Sequence, residues 1–481
     1  MKKIALTLTL AFSLFACSDD YYESINTDPS SPSDVPAAHL MSSATTSLFD
    51  QMVNTNVNLN VFKLYAQYWT QTQYVDESNY DLNNRDIPGN HWNELYSDVL
   101  YNLEDAKSKI ENDVSILDEQ LRANQLAIAD ILQVYAWQIL VDTFGNVPYS
   151  EALQGLDNIT PAYDDAATIY ADLISRLSAD IEALDESSGG FGDNDLIYGD
   201  NITAWRKFAA SLKLRIGVNL IDTNASLANS TISSAISTGV FTSNADNFVI
   251  NYLATPPYDN PISVDLNSRN DFVGANTVID YMNELSDPRL SSYFAGNITD
   301  DSGNIIYVGG VYAAGSSFSS FTHLNDAFYD PTMPGDLLDY AEVEFLLAEA
   351  AAKGIASAGS VEEHYNAGIL ASMEYWGVST DDAATYLASS EVAWGSAPGT
   401  VKEKIGKQFW LAMYGRGFEG WSVYRRLDAP ELNIAALSEL PVPVRFNYPV
   451  SEQTLNATNY DSAVSAMGGD GTDVKLFWDV N

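Results

Sequence analysis

The sequence predicts a mostly α-helical fold of paired, tetratricopeptide-like helices, interrupted by one loop-rich insertion that carries small hairpins. Three observations predict it. Apolar residues recur at three- and four-residue steps over most of the chain. Residues 238–335 lose that period and fill instead with Gly, Asn, Ser, Pro and aromatics. Cys17 is the only cysteine in 481 residues, so the body must be held by its core and not by disulfides. A chain of this length has a favourable ratio of core to surface.

The first residues define the export class. Met1-Lys2-Lys3 precedes an apolar run from Ile4 to Leu14, which is the pattern of a secretory signal peptide over 1–16. The run is too short to remain as a membrane-spanning helix. Cys17 then stands at the +1 position of a bacterial lipobox, so the mature chain is expected to begin there and to carry lipid. Each buried methylene contributes about 0.8 kcal/mol, and two or three acyl chains hold a protein on a membrane almost permanently. No later stretch reads as a membrane span, so the lipid anchor is the only expected membrane element. Residues 17–36, rich in Asp, Asn, Ser and Pro, read as a flexible tether. Residues 37–481 read as a single domain, helical over 37–237 and 336–428, with the insertion at 238–335 and a loop-rich tail at 429–481.

Within the body, loosely spaced apolar residues predict a helix over 37–59, followed by one over 92–110. Leu117, Leu121, Ile128, Leu132, Tyr135 and Ile139 share one face of a long helix. Ile169, Leu173, Leu177 and Ile181 place another over 165–184. A basic amphipathic helix follows at 203–221, with Thr203 positioned to cap it. In the insertion, Phe248-Val249-Ile250 and Ile305-Ile306-Tyr307-Val308 read as short strands. Helices resume at Asp336, with a stripe of Leu338, Ala341, Phe345, Ala348 and Ala352. Lys353-Gly354 ends that helix. A partner helix at 361–376 completes a hairpin, and one long helix is expected over 402–426. Such pairing points to a tetratricopeptide-like stack, although no clean repeat of about 34 residues is visible.

Charge and motif content narrow the chemistry. With 65 acidic against 23 basic side chains and a net charge of -42, nucleic acid and anionic lipid surfaces are excluded as partners. Gly415-Arg416-Gly417-Phe418-Glu419-Gly420 has dinucleotide-loop spacing but lies among helices instead of following a strand, so its glycines are read as permitting close helix contact. The four histidines stand far apart without metal-ligand spacing. No Gly-x-Ser-x-Gly elbow is present. Asp300-Asp301-Ser302-Gly303-Asn304 is an acidic turn without a full calcium-loop pattern. No catalytic residue, cofactor or metal is therefore expected.

Several strings together carry a resemblance. They are Val141-Asp142-Thr143-Phe144-Gly145-Asn146-Val147-Pro148-Tyr149, Pro161-Ala162-Tyr163-Asp164, Trp205-Arg206-Lys207-Phe208-Ala209, Glu342-Val343-Glu344-Phe345-Leu346-Leu347-Ala348-Glu349-Ala350, Trp421-Ser422-Val423-Tyr424-Arg425-Arg426 and Pro443-Val444-Arg445-Phe446-Asn447-Tyr448-Pro449. In this order, over nearly the whole mature chain, they resemble the SusD/RagB family of nutrient-binding outer-membrane lipoproteins of Bacteroidetes. The resemblance implies a SusD-like α-α superhelix of four helix pairs and a non-enzymatic role. It implies capture of oligosaccharide, or in some members peptide, and delivery to a SusC-like TonB-dependent transporter. It also implies a cell-surface location on the outer membrane, to which Ser18-Asp19-Asp20 after the lipid site adds a likeness to a surface-export signal. Most matched residues read as structural; Arg425, Arg426 and Arg445 are expected to pair with buried carboxylates or carbonyls.

Sugar recognition without chemistry needs flat apolar faces for C–H groups, and amide, carboxylate and guanidinium groups for hydroxyls. Two stretches offer both. The first supplies Trp69, Tyr74, Tyr80, Arg85 and Trp92, in a region where the family carries an aromatic platform. The second, in the insertion, supplies Tyr258, Asn260 and Arg269. The large negative charge favours a neutral glucan, of the laminarin kind, over an anionic glycan. A glycoside hydrolase, with two carboxylates facing across a sugar, and a peptide-binding or protein-scaffold lipoprotein are the competing readings. Labelled palmitate is expected on purified mature protein; an unlabelled chain free in the periplasm would contradict the anchor at Cys17.

Overall fold

The computed structural model describes residues 35–480. The expected signal peptide, Cys17 and nearly all of the tether lie outside the described residues. Helices pack in consecutive pairs. α1 (Ala37–Val53) lies on α2 (Tyr101–Asn112), α2 on α3 (Glu119–Phe144), and α3 on α4 (Ala166–Ala183). α5 (Ile202–Asn219) pairs with α6 (Ala225–Thr238), α7 (Tyr340–Ala352) with α8 (Val361–Tyr375), and α9 (Val401–Ala412) with α10 (Gly417–Leu427). Strands among the described residues are short and form two-stranded antiparallel sheets only. The mostly helical, pairwise architecture read from the sequence is the architecture found.

Helix ends follow local capping chemistry, and several differ from the sequence reading. The Asp118 carboxylate accepts from the Gln120 and Leu121 amides, so α3 begins at Glu119. Leu117, expected on its buried face, is left exposed. Asn201, not Thr203, caps α5, accepting from the Ala204 amide at 3.1 Å; asparagine is at least as strong a cap. Asp339 caps α7 through the Glu342 amide at 2.7 Å. Leu338 therefore leaves the helical stripe for the strand Gly335–Leu338, which pairs with Phe248–Ile250. That two-stranded ladder forms the neck of the insertion, which itself contains helices Pro261–Ser268 and Asn276–Leu285. The tail holds helices Val450–Leu455 and Ala457–Met467. α3 is long and apolar enough by length and composition to cross a membrane, contrary to expectation, yet its neighbours bury it as the central rod.

The single helix expected over 402–426 is broken. The chain turns at Gly415, where φ is +92°, a conformation that glycine adopts without steric cost. The next two glycines permit contact: a Cβ on Gly417 would lie 2.3 Å from the Lys63 amide nitrogen, and one on Gly420 would lie 2.2 Å from the Tyr68 hydroxyl. A dinucleotide has no space there. The Asp300 turn joins the hairpin strands Ile298–Thr299 and Ile305–Ile306. Its carboxylate is occupied by the Ser302 and Asn304 amides of the same turn. Among the described residues no cluster of His, Cys, Asp or Glu could hold a metal.

Buried arginines tie the pairs together. Arg425 donates to the Asp142 and Val444 carbonyls, Arg426 pairs with Glu349, and Arg445 reaches the Phe144 carbonyl and Asp470. These are the structural roles expected from the sequence. At the centre, Arg215 on α5 grips Glu342 on α7 with two hydrogen bonds, 2.6 and 2.8 Å, and donates to the Leu337 carbonyl at 3.0 Å. Arg416, at the start of α10, pairs with both Glu342 and Asp339. Burial pushes the Glu342 carboxyl upward, but the two guanidinium groups outweigh it and hold it below its ordinary range. Removing one member of such a buried pair costs about 3–5 kcal/mol. Glu342→Gln is therefore expected to lower the urea unfolding free energy by about that amount; a loss below about 1 kcal/mol would contradict a central role for this carboxylate.

Candidate functional site

A cleft of about 280 Å³ opens at the C-terminal end of α1. Its first wall is the chain after α1, which the sequence pattern placed inside a helix. α1 stops at Val53 because side chains supply what a longer helix would have supplied. The last carbonyls of a helix have no intrahelical partner. Here the Asn60 amide donates to the Gln51 and Met52 carbonyls at 2.8 and 3.0 Å. The Lys63 Nζ donates to the Val53 and Asn54 carbonyls at 2.6 and 3.2 Å. Asn54 and Asn56 then accept from backbone amides two residues on, forming successive Asx turns that fix Thr55 to Asn58 along the cleft.

The second wall comes from the loop after strand Trp69–Gln71 and brings Gln73, Tyr74 and Arg85. The third comes from the insertion and brings Asp265, Arg269 and Phe272. A β-ladder joins the two, pairing Gln71 with Phe272, and the Thr72 amide extends it to the Asp271 carbonyl at 2.8 Å. Cross-links close the ring of walls. Thr55 donates to Asp265 at 3.1 Å, and Arg85 donates to Asn58 at 3.1 Å. Arg85 also pairs with Glu77, a buried carboxylate that accepts from Gln71 at 2.7 Å. Arg269 pairs with Asp271 at 2.7 Å. Burial raises the Asp265 carboxyl, the Thr55 hydrogen bond opposes the rise, and the nearby Asp271 charge adds to it.

Of the sequence candidates, the cleft gathers Tyr74, Arg85 and Arg269 from two distant stretches. Tyr74 is 65% exposed, with its ring carried on a left-handed backbone, φ +56°. The other candidates lie elsewhere. Trp69 is 1% exposed, donates its indole N–H to the Tyr414 hydroxyl at 3.0 Å and packs on Phe272 and Phe328. Trp92 is 6% exposed among Tyr96, Phe144 and Tyr448. Both are core residues with no free ring face, so they are removed from the site. Asn260 is fully buried: it caps the helix Pro261–Ser268 through the Ile262 amide and donates to the Met333 carbonyl. It too is structural. Tyr80 is half-buried against Tyr65 and Tyr312, and burial pushes its phenol up to about 12; it supports the loop from behind. Tyr258 is exposed, but it lines a different hollow. Sequence reasoning missed Thr55, Asn56 and Asn58. The signal was the run Asn54-Thr55-Asn56-Val57-Asn58, a turn composition that was absorbed into a helical pattern.

The comparisons with known proteins agree on architecture. A family model described as starch-binding and associating with the outer membrane matches residues 29–449. No curated protein matches the chain. A solved chitin-binding protein is 27% identical, with a TM-score of 0.81, over 92% of this chain and 100% of its own. A chitin-binding SusD homologue from Flavobacterium johnsoniae is 25% identical, with a TM-score of 0.77, over 92% of this chain and 99% of its own. A SusD homologue from Bacteroides uniformis is 24% identical, with a TM-score of 0.78, over 92% and 100% respectively, and shares the fold.

Two measurements check the geometry. Trp92→Ala is expected to cost about 3–5 kcal/mol of unfolding free energy, while Tyr74→Ala stays within about 0.5 kcal/mol of the parent. Equal effects would contradict the division into core and cleft. Lys63 supplies a pH test. Burial pushes its ammonium down from 10.5 to about 7, opposed by the charges of Glu419 and Asp265. A depressed folded pKa gives a contribution that is complete above the unfolded value and is lost as pH falls toward the folded one. The stability of the parent relative to Lys63→Met is therefore expected to fall between pH 10.5 and about 7. A difference independent of pH would show that the amine is solvated.

Proposed function

The chain belongs to the SusD-like family, and on that premise we propose that it is a cell-surface receptor that binds a neutral oligosaccharide in the cleft at the end of α1. The observation that carries this reading is the state of the cleft's charges. Arg85 and Arg269 are each already neutralised, by Glu77 and Asp271. An anionic glycan would have to displace those carboxylates and enter a chain of net charge -42. A neutral sugar needs only what the cleft offers: the exposed Tyr74 ring for a C–H face, and the amides of Asn56, Asn58 and Gln73 with two oriented guanidinium groups for hydroxyls.

The reading is one of binding without chemistry, as in the family. The ligand is then passed to a SusC-like TonB-dependent transporter, and lipid on Cys17 holds the receptor on the outer membrane. The chitin-binding relatives support a neutral β-linked glycan. On that support, N-acetylated sugars join the laminarin-type glucan among the ligands to try first.

Isothermal calorimetry against laminari-, chito- and malto-oligosaccharides, with alginate as the anionic control, tests the reading. One neutral series is expected to bind, with little dependence on salt. Tyr74→Ala is expected to weaken it about tenfold, the size of one aromatic contact. Binding of alginate alone, or of no glycan, would overturn it. New reducing ends in the same mixtures would replace it with the hydrolase reading, with Asp265 as the first carboxyl to test.

A further inference from the structure

Tyr258 lies outside the cleft, and the hollow it lines is the larger of the two, about 610 Å³. The groove runs beside the first turns of α1 and shares no lining residue with the cleft. Between Ser47 on its floor and Val53, where the cleft begins, lies roughly 9 Å of helix at ~1.5 Å per residue.

Its two walls differ in chemistry. One is apolar, with Leu196, Leu253 and Tyr258, a residue 57% exposed. The other is the outward stripe of α1, which presents the hydroxyls of Ser42, Ser43, Thr46 and Ser47. Ser42 already donates to the Asn194 carbonyl at 2.9 Å, and Thr46 to the Ser42 carbonyl at 3.0 Å. Their protons are committed, so toward the groove they offer lone pairs and call for a ligand rich in donors. His39 is the one basic side chain in the lining, and no Asp, Glu, Lys or Arg lines the groove, in a chain with 65 acidic residues. A window of this size without a carboxylate, on so acidic a surface, matches an uncharged ligand, and its volume falls within the range of small-molecule sites.

We propose that this groove is a second glycan-binding site, taking a neutral oligosaccharide whose C–H faces lie on Tyr258 and Leu253 while its hydroxyls donate to Ser42 and Thr46. The ligand class rests on the glycan reading of the cleft; the location does not. Two sites on one receptor raise the effective concentration of a long polymer held at both.

The test uses a laminaritriose and a chitotriose, too short to bridge the sites, titrated calorimetrically into the purified protein. A cleft-disabled variant, Tyr74→Ala with Arg269→Ala, is expected to retain one binding event per chain. Adding Tyr258→Ala is expected to weaken that event about tenfold, with the melting temperature little changed because Tyr258 is mostly exposed. If the parent binds a trisaccharide but the cleft-disabled variant does not, the cleft is the whole site and the groove proposal is overturned while the receptor reading stands. Residual binding that ignores Tyr258→Ala also overturns it. A parent that binds neither trisaccharide overturns the groove proposal, while the receptor reading is then decided by the malto-oligosaccharide titration. A concentration-dependent dimer abolished by Tyr258→Ala would reassign the groove to a second copy of the chain.

Discussion

The fold depends on one buried knot of charge. Arg215 and Arg416 meet Glu342, Asp339 and Glu419 where α5, α7 and α10 converge, with almost no access to water. Charges removed from solvent are tolerated only in a geometry that satisfies them together. Moving any of the three helices by one turn would leave a guanidinium without its carboxylate. The knot also holds the Leu337 carbonyl, and Leu337 belongs to the strand that pairs with Phe248–Ile250. The same interaction that registers the helix pairs therefore fixes the neck from which the insertion leaves and returns. Asp336, next to it, is buried without a cation of its own, and burial drives its carboxyl well above the usual range. With two guanidinium groups among these carboxyls, the knot is short of positive charge.

That frame matters because the cleft is built from pieces that do not touch in sequence. The Asn54–Asn58 wall is held by Asn60 and Lys63, the Tyr74 wall leaves the strand Trp69–Gln71, and the Arg269 wall belongs to the insertion. Lys63 also contacts the α10 start, through the close approach of Gly417 to its backbone. One buried lysine thus links the helical frame to the cleft wall. The cleft inherits its order from the core, which suits the proposed binding role: little entropy would be lost when a sugar settled on groups already fixed.

Much of this was legible in the sequence, and the omissions have physical causes. Periodicity located the helices, because α4 and α8 bury one face and expose the other. It failed at α1, where side-chain caps ended a helix whose apolar spacing continued, and at 402–426, where Gly415 broke one. Sequence reasoning correctly marked the glycines at 417 and 420 as points of close approach. For the site, it identified two stretches rich in rings and amides but could not distinguish a ring that faces solvent from one that faces the core. Trp69 and Trp92 have the composition of a sugar platform and the position of core residues. The polar loop around Tyr74 set it apart in the sequence, and the structure leaves it 65% exposed where Trp69 and Trp92 are 1% and 6%. The meeting of Arg85 with Arg269 rests on a three-residue ladder between Trp69–Gln71 and Phe272–Gly274 that no local pattern announces.

On the proposed readings, uncharged recognition joins the cleft, where Arg85 and Arg269 each have a carboxylate, to the groove, which no Asp, Glu, Lys or Arg lines. A crystal structure of the protein soaked with the neutral oligosaccharide it binds most tightly tests this most directly. The account predicts a sugar ring against Tyr74, with hydroxyls on Arg85, Arg269 and the asparagine wall, and both ion pairs intact. A sugar bound only away from the α1 terminus, or a cleft in which Glu77 and Asp271 have been displaced by an anionic group of the ligand, would contradict it.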